Sequence, residues 1–280
     1  MRTIALMNQK GGVGKTTTTV NLGAALAEAG QKVCLIDLDP QAHLTINFGV
    51  DPAAEGITLY DILIEESSLL EGLRRVDERI AMVPGSIDLA AAELELAGKP
   101  ARETILKRKI DTAVAAGALD CDFLLIDCPP SLGLLTLNAL AAAQEVIIPM
   151  QPHFLALQGV GKLLETVHLV AKRINPGLRV SGIVLTLFDS QTKLGGEVIG
   201  DLRNFLMSAA TQRLPWSGAV IFQSRIRRNI KLAESPSFGK TILKYDSASH
   251  GSADYRSLAL EVMGMAAAAA GPTTAGTAVA

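Results

Sequence analysis

The chain has 280 residues, of which 49% are hydrophobic and 19% charged, and its formal net charge is -2. This composition reads as a globular chain, neither disordered nor membrane-embedded, and any hold on nucleic acid has to come from a local patch. The length suits one large α/β domain or two small ones. The first predicted element is a short buried strand, Thr3-Ile4-Ala5-Leu6-Met7. Lys10-Gly11-Gly12-Val13-Gly14-Lys15-Thr16-Thr17 follows, then Thr18 to Ala29, where Leu22, Ala25, Leu26 and Ala29 recur at helical spacing. A strand, a glycine-rich loop and a helix in that order form the context of a phosphate site. The glycines let the backbone curl until several N–H groups point into one concavity, and the helix N-terminus adds its dipole. In such a loop Lys15 reaches the β- and γ-phosphates of a nucleotide, and the Thr16 hydroxyl ligates Mg²⁺.

Lys10 is a cation that the ordinary phosphate-loop pattern does not require. With it, KGGVGKTT resembles the deviant Walker A loop of the ParA/MinD branch of P-loop ATPases. The resemblance implies that Lys10 crosses a dimer interface to touch the nucleotide phosphates of the partner subunit, which makes the dimer depend on ATP. It also makes Lys10, Gly11, Gly12, Val13, Gly14, Lys15, Thr16 and Thr17 the nucleotide-binding stretch, with Lys10 and Lys15 stabilising phosphate charge.

After Gly30 the segment Lys32 to Asp37 predicts a second buried strand, ending in Asp37-Leu38-Asp39-Pro40-Gln41. Carboxylates at the carboxyl end of a strand in an open α/β sheet face the ligand crevice, and alternation puts Asp37 and Asp39 on one side. DLDPQ matches the second motif of the ParA family, which implies that Asp39 positions the attacking water and that Asp37 supports the loop and metal environment. Further on, Thr58 and Asp61 cap a predicted helix start, Ile80 to Pro84 predicts a strand, and Leu89 to Leu96 a helix. Arg102 to Ala116 predicts an amphipathic helix with Ile105, Ile110 and Ala113 or Val114 inside. His43, Arg74, Arg75, Arg102, Lys107, Arg108 and Lys109 read as solvated charges.

Asp122 to Asp127 is a hydrophobic strand ending in an acid. Asp127-Cys128-Pro129-Pro130-Ser131-Leu132-Gly133 resembles the family's Walker B segment, which implies that Asp127 holds Mg²⁺ through water opposite Thr16. Glu145 to Met150 and Arg179 to Thr186 predict further strands, Leu157 to Ile174 a long helix, and Gly196 to Ala210 a helix with Val198, Leu202, Phe205 and Leu206 inward. Alternating strands and helices predict a mainly parallel twisted sheet with helices on both faces, joined by right-handed crossovers.

Ser224 to Lys240 concentrates positive charge around Ile226, Ile230 and Leu232 in a nearly neutral chain. Such a cluster neutralises DNA phosphates without reading sequence. The stretch also resembles a ParA-family segment linked to the adenine pocket and to non-specific DNA binding. Arg225, Arg228 and Lys231 are the DNA contacts it implies, with Lys193 and Arg203 weaker ones, while Arg227 stands where the family has proline. The tail from Met265 is alanine-rich and lacks the cations of the basic amphipathic helix that anchors MinD relatives, so membrane attachment is not expected.

The resemblance covers Met1 to about Met263, giving one ATPase domain over 1–264 and an expected disordered tail over 265–280. It implies an ATP- and Mg²⁺-dependent homodimer on non-specific DNA, cytoplasmic and nucleoid-associated. A ParB-like or cargo-adaptor protein would stimulate hydrolysis and so drive partitioning of a chromosome, plasmid or protein complex. A metal-cluster carrier of the Mrp and nitrogenase iron-protein kind shares the deviant loop, and Cys128 is its one candidate ligand near the site. Cys34, Cys121 and Cys128 lack Cys-x-x-Cys spacing and read as reduced thiols.

Overall fold

The structure, a computed structural model, describes residues 1–153, 156–189 and 193–269, and of residues 156, 157, 193, 194 and 266–269 the backbone alone. In chain order, β1 (Arg2–Leu6) leads through the glycine loop into α1 (Lys15–Glu28), followed by β2 (Val33–Asp37), α2 (His43–Asn47) and α3 (Leu59–Ile64). Next come β3 (Arg74–Asp77), β4 (Ile80–Val83), α4 (Leu89–Ala97), α5 (Ile105–Ala115), β5 (Phe123–Asp127) and α6 (Leu134–Ala142). The rest is β6 (Glu145–Met150), α7 (Ala156–Arg173), β7 (Arg179–Phe188), α8 (Lys193–Ala209), β8 (Val220–Arg227), α9 (Ile230–Glu234), α10 (Ile242–Tyr245) and α11 (His250–Ala269).

The strands form one eight-stranded sheet in the order β3-β4-β2-β5-β1-β6-β7-β8, parallel throughout except for β3 against β4. Side chains alternate across a strand, so each central strand divides its apolar residues between two cores. Ile4 and Leu6, Val33 and Leu35, and Phe123 and Leu125 join α1 and α11 on one face. Ala5 and Met7, Cys34 and Ile36, and Leu124 and Ile126 join α3 to α8 on the other. The chain moves from β1 to β2 in one direction through α1, and from β5 to β6 in the opposite direction through α6. Crossovers of one hand that run in opposite directions must use opposite faces. The loops after β1 and β5 therefore diverge at the carboxyl edge, where such sheets bind ligands.

At the other edge, Glu145 ties three strands together. It is 1% exposed and accepts Arg2 Nε at 2.8 Å and Nη2 at 2.9 Å, the Ser181 hydroxyl, and an ion pair from Arg179 at 3.1 Å. Burial alone would raise its pKa, but these donors and charges leave it below the ordinary value.

Several details depart from the sequence expectations. α1 starts at Lys15, so the motif's threonines lie in its first turns. Of the Ala113 and Val114 pair, the structure buries Ala113 and leaves Val114 44% exposed, because the stripe through Ile105, Leu106 and Ile110 centres nearer Ala113. Phe205 is 40% exposed and not inward, since the buried stripe of α8 runs through Val198, Ile199, Leu202, Leu206 and Ala209 and leaves Phe205 on its flank. The edge strands β3 and β8 carry charge and lack a continuous apolar run. The first residues of the alanine-rich stretch continue α11 to Ala269, and the remainder of that expected tail, 270–280, lies outside the described residues.

Candidate nucleotide site and basic edge

The glycine loop leaves β1 and turns into α1 through left-handed backbone at Gly12 (φ 72°) and Gly14 (φ 83°). Side-chain-bearing residues rarely adopt that region, which accounts for glycine at both places. Gly14 is the N-cap of α1 and has no side chain to satisfy the first N–H groups, so these face the loop concavity. The loop is pinned from outside: the Thr186 hydroxyl at the end of β7 donates to Val13 O at 2.7 Å, and Asn8 Nδ2 donates to Pro149 O at 2.8 Å. Lys15 is 6% exposed, and its Nζ reaches Lys10 O at 3.3 Å. Burial lowers its pKa against the opposing charges of Asp127 and Asp39. A buried ammonium with one weak partner is a cation prepared for an anion.

Asp127, at the end of β5, is fully buried and lies under this loop. Its Oδ2 accepts the Thr16 hydroxyl at 2.6 Å and its Oδ1 accepts the Thr19 hydroxyl at 3.1 Å. Burial first, then the charge of Asp37, pushes Asp127 up to about 8. Asp37, at the end of β2, is likewise pushed up to about 6, chiefly by burial. Its Oδ2 accepts the Thr45 N–H at 2.8 Å and the Thr45 hydroxyl at 2.7 Å, and Thr45 Oγ1 in turn accepts Gly85 N–H at 3.0 Å. Asp39 is 9% exposed, its Oδ1 accepting Gln41 N–H at 3.0 Å. Two buried carboxylates beside one lysine leave the pocket short of positive charge. Thr16 and Asp127, side by side, are oxygen donors of the kind a hard divalent cation takes, so the residues fit Mg²⁺.

The structure brings Lys15, Thr16, Asp37, Asp39 and Asp127 close together at the start of α1 and the carboxyl ends of β2 and β5. Sequence reasoning missed Thr19, Thr45, Thr186 and Gly85, which hold those residues in place. Thr18 and Thr19, fully buried in the apolar face of α1, were the legible signal; the others meet the site only through the fold. Lys10 differs from Lys15. It is exposed, and its Nζ lies 2.5 Å from His153 Nε2. Cys128 is fully buried, its Sγ directed to Ile126 O, and burial raises its thiol pKa. It therefore presents no ligand at the surface. No group of three or more candidate metal-binding residues of the His, Cys, Asp and Glu types occurs among the described residues.

The basic segment begins inside β8. Arg225 packs over the Phe188 ring, 4.5 Å to its centroid, and with Arg227, Arg228 and Gln223 lines a depression of about 390 Å³. Arg227 is held from below by Asp254 of α11, with Nη2 to Oδ1 at 2.5 Å and Nε to both oxygens at 3.1 Å. A fork of that kind uses the arginine at the position where the resembled segment has proline. Lys231 pairs with Glu234 at 3.0 Å and is spoken for in part. Arg203 is exposed on α8, while the side chain of Lys193 lies outside the described residues.

A largely parallel sheet with a glycine loop and lysine after β1, and an acid at the end of the neighbouring β5, defines a P-loop NTPase. Residues 1–180 match the family described as AAA domain. The chromosome-partitioning ATPase Soj of Thermus thermophilus is 44% identical over 265 residues, covering 94% of this chain and 96% of the relative. The chromosome partitioning protein ParA of Caulobacter vibrioides is 39% identical over 264 residues, covering 94% of each. Among solved structures, cobyrinic acid a,c-diamide synthase from Mycobacterium smegmatis with bound ATP analog and magnesium superposes with a TM-score of 0.78 at 37% identity, covering 96% of this chain and 97% of that one. The chain belongs to the Soj/ParA family of chromosome-partitioning ATPases.

Proposed function

We propose that this ATPase works as a switch: a subunit binds ATP, closes with a second copy over the nucleotides, holds DNA without sequence preference, and releases it after partner-stimulated hydrolysis. The observation that carries the reading is the division of labour between the two loop lysines. Lys15 is buried with its Nζ at Lys10 O, whereas the Lys10 side chain is exposed with its ammonium against His153 Nε2. A cation so placed is available to phosphates held by another subunit.

Thr16 and Asp127 would hold Mg²⁺, which supplies charge neutralisation for the β- and γ-phosphate oxygens. Lys15 and the N-terminal amides of α1 bind the phosphates in a site whose geometry is set before the ligand arrives. Asp39, beside the buried Asp37, orients the attacking water. Arg225 and Arg228 on the β8 edge, supplemented by Lys231, meet DNA phosphates. The near-neutral chain confines that attraction to one edge, and binding of this kind weakens steeply with salt. The partner is a ParB-like protein or a cargo adaptor, and the moved object is a chromosome, a plasmid or a protein complex. No helix of the described residues is long and apolar enough to cross a membrane.

Sedimentation of the purified protein with no nucleotide, ADP, and a slowly hydrolysed ATP analogue tests the switch. A dimer that forms only with the analogue, and is lost in Lys10→Ala while nucleotide binding persists, supports it. A nucleotide-independent mass, or a Lys10→Ala protein that dimerises as well as the wild type, contradicts it.

A further inference from the structure

A cleft between α3, the turn that follows it and α5 lies apart from the residues of the nucleotide site. Its volume is about 730 Å³, and its floor and rim differ in chemistry. The floor is apolar. Ile62 and Leu63 of α3, Leu69 of the turn and Ile105 of α5 are each no more than 6% exposed, and all four belong to the core on the sheet face away from α1. The cleft stays open because α5 and its C-cap present small residues to it. Thr112, Ala113 and Ala116 fall on the same helical face as Ile105, and larger side chains at those places would close the hollow.

The rim is cationic: Lys99, Arg108 and Lys109 line the cleft against the single carboxylate of Glu66. Lys99 Nζ donates to Ile64 O, and Lys109 Nζ donates to Glu66 O and Ser67 O at 2.8 Å each. These acceptors are neutral carbonyls, so they hold the two ammoniums in place without cancelling their charge. Among the described residues none of the three cations forms an ion pair, and Arg108, exposed on α5, has no hydrogen bond either. Lys109, which the sequence reads as solvated, is half-buried. Burial is the first cause that lowers its pKa; the charge of Glu66 opposes this, and those of Lys99 and Arg108 add to it, so the three cations share one locality. Lys109 also fixes the shape of the cleft. Glu66 takes left-handed backbone (φ 68°), a region that side-chain-bearing residues rarely adopt, and the carbonyls that Lys109 holds are those of this residue and the next. The site is therefore formed before any ligand enters it.

We infer that this cleft is a binding site for a small amphipathic carboxylate, one anionic head on an apolar body of about ten carbons. Volume and charge select this occupant. Clefts of roughly 300–1,000 Å³ suit small molecules, with apolar walls that take the body and a few polar groups that fix its orientation. The floor takes hydrocarbon, and the planar fork of Arg108 matches a carboxylate, with Lys99 and Lys109 adding charge beside it. A neutral hydrocarbon would leave the cations unused, and a compact polyanion would set its charge against the apolar floor. A second copy of the chain in a two-fold contact would bring the three cations against their own counterparts, which opposes that pairing. The binding needs no nucleotide and does not rest on the ATPase switch proposed above.

The probe is sodium decanoate, kept below its micelle concentration and titrated calorimetrically into the full chain. Decyltrimethylammonium carries the same chain with the opposite charge, and acetate carries the head group without the chain. Decanoate is read against the wild type, Arg108→Glu, and Ala116→Trp, which fills the hollow from the helix side. Lys107→Glu and Val114→Trp, on the opposite face of α5, are the matched controls, and every variant is checked by its melting curve. Decanoate is expected to bind the wild type and both controls alike at one site per chain, and to bind Arg108→Glu and Ala116→Trp about tenfold more weakly. Decyltrimethylammonium and acetate should each bind the wild type at least about tenfold more weakly than decanoate does. No saturable decanoate binding, equal binding of the cationic amphiphile, undiminished binding in either cleft variant, or equal weakening in the controls overturns the inference. Pelleting of the wild type with phosphatidylglycerol vesicles, lost in Arg108→Glu and without decanoate binding, also overturns it, by making the cleft a contact with a lipid surface. DNA binding and nucleotide-dependent dimerisation play no part in these readouts, so failure of the partitioning switch and failure of this site are separate results.

Discussion

At the residue scale, the site separates holding from reacting. Asp127 is fully buried with its two oxygens taken by Thr16 and Thr19, whereas Asp39 is 9% exposed, and in the proposed mechanism it is the group that orients the water. Asp39→Ala is therefore expected to lower single-turnover hydrolysis by about a hundredfold while ATP binding and ATP-dependent dimerisation remain. Filter-binding and phosphate-release assays on the same preparation check both halves. Glu145 gives a second prediction, this time about stability. Its pKa is lowered in the folded chain by Arg2, Ser181 and Arg179, against the opposing effect of burial. A depressed carboxyl contributes stability above its unfolded value, near 4.5, and loses it as pH falls through the lower folded value. Glu145→Gln should cost about 1–3 kcal/mol at neutral pH, because it removes the buried carboxylate that accepts from half-buried Arg2, and should flatten the loss of stability below pH 4.5. Urea titrations across that range measure both.

At the element scale, the central strands were legible because parallel strands buried on both faces read as continuous apolar runs, as in Phe123 to Ile126 and Val146 to Ile148. The edge strands were not. β3 is Arg-Arg-Val-Asp, half-exposed on both sides, and β8 alternates exposed residues with Phe222 and Ile226 while carrying the arginines. The site divides the same way. Lys15, Thr16, Asp39 and Asp127 lie in contiguous motifs and could be read directly, whereas the Asp37–Thr45–Gly85 relay joins three segments that only the fold brings together. That relay predicts an effect for a position with no chemistry of its own. Gly85→Ala forces a methyl against the Asp37 backbone and carboxyl. It should destabilise the protein by about 1–3 kcal/mol and lower ATP hydrolysis more than ATP binding. Comparison of kcat with KM in a protein shown to be folded by circular dichroism separates these effects.

At the scale of the whole molecule, the chain carries nearly balanced charge, and Arg225, Arg227 and Arg228 lie within and just after the outermost strand, β8, at the far end of the sheet from β3. One such edge offers few phosphate contacts. In the switch proposed above, a dimer would offer twice as many on one duplex, and closure over ATP would convert weak contacts into a stable hold through effective concentration. Arg227 and Asp254 fasten that edge to α11, which itself packs on α1 behind the nucleotide loop, and Thr18 meets Tyr255 at 3.3 Å. Nucleotide state and basic edge are therefore parts of one packed unit. The measurement that tests this account most directly is binding to non-specific duplex DNA with no nucleotide, ADP, ATP and a slowly hydrolysed analogue, at low and high salt, beside Arg228→Glu. The account predicts binding only with ATP or its analogue, lost at high salt and in the variant. Binding that ignores the nucleotide, or an absence of binding in every state, would contradict it.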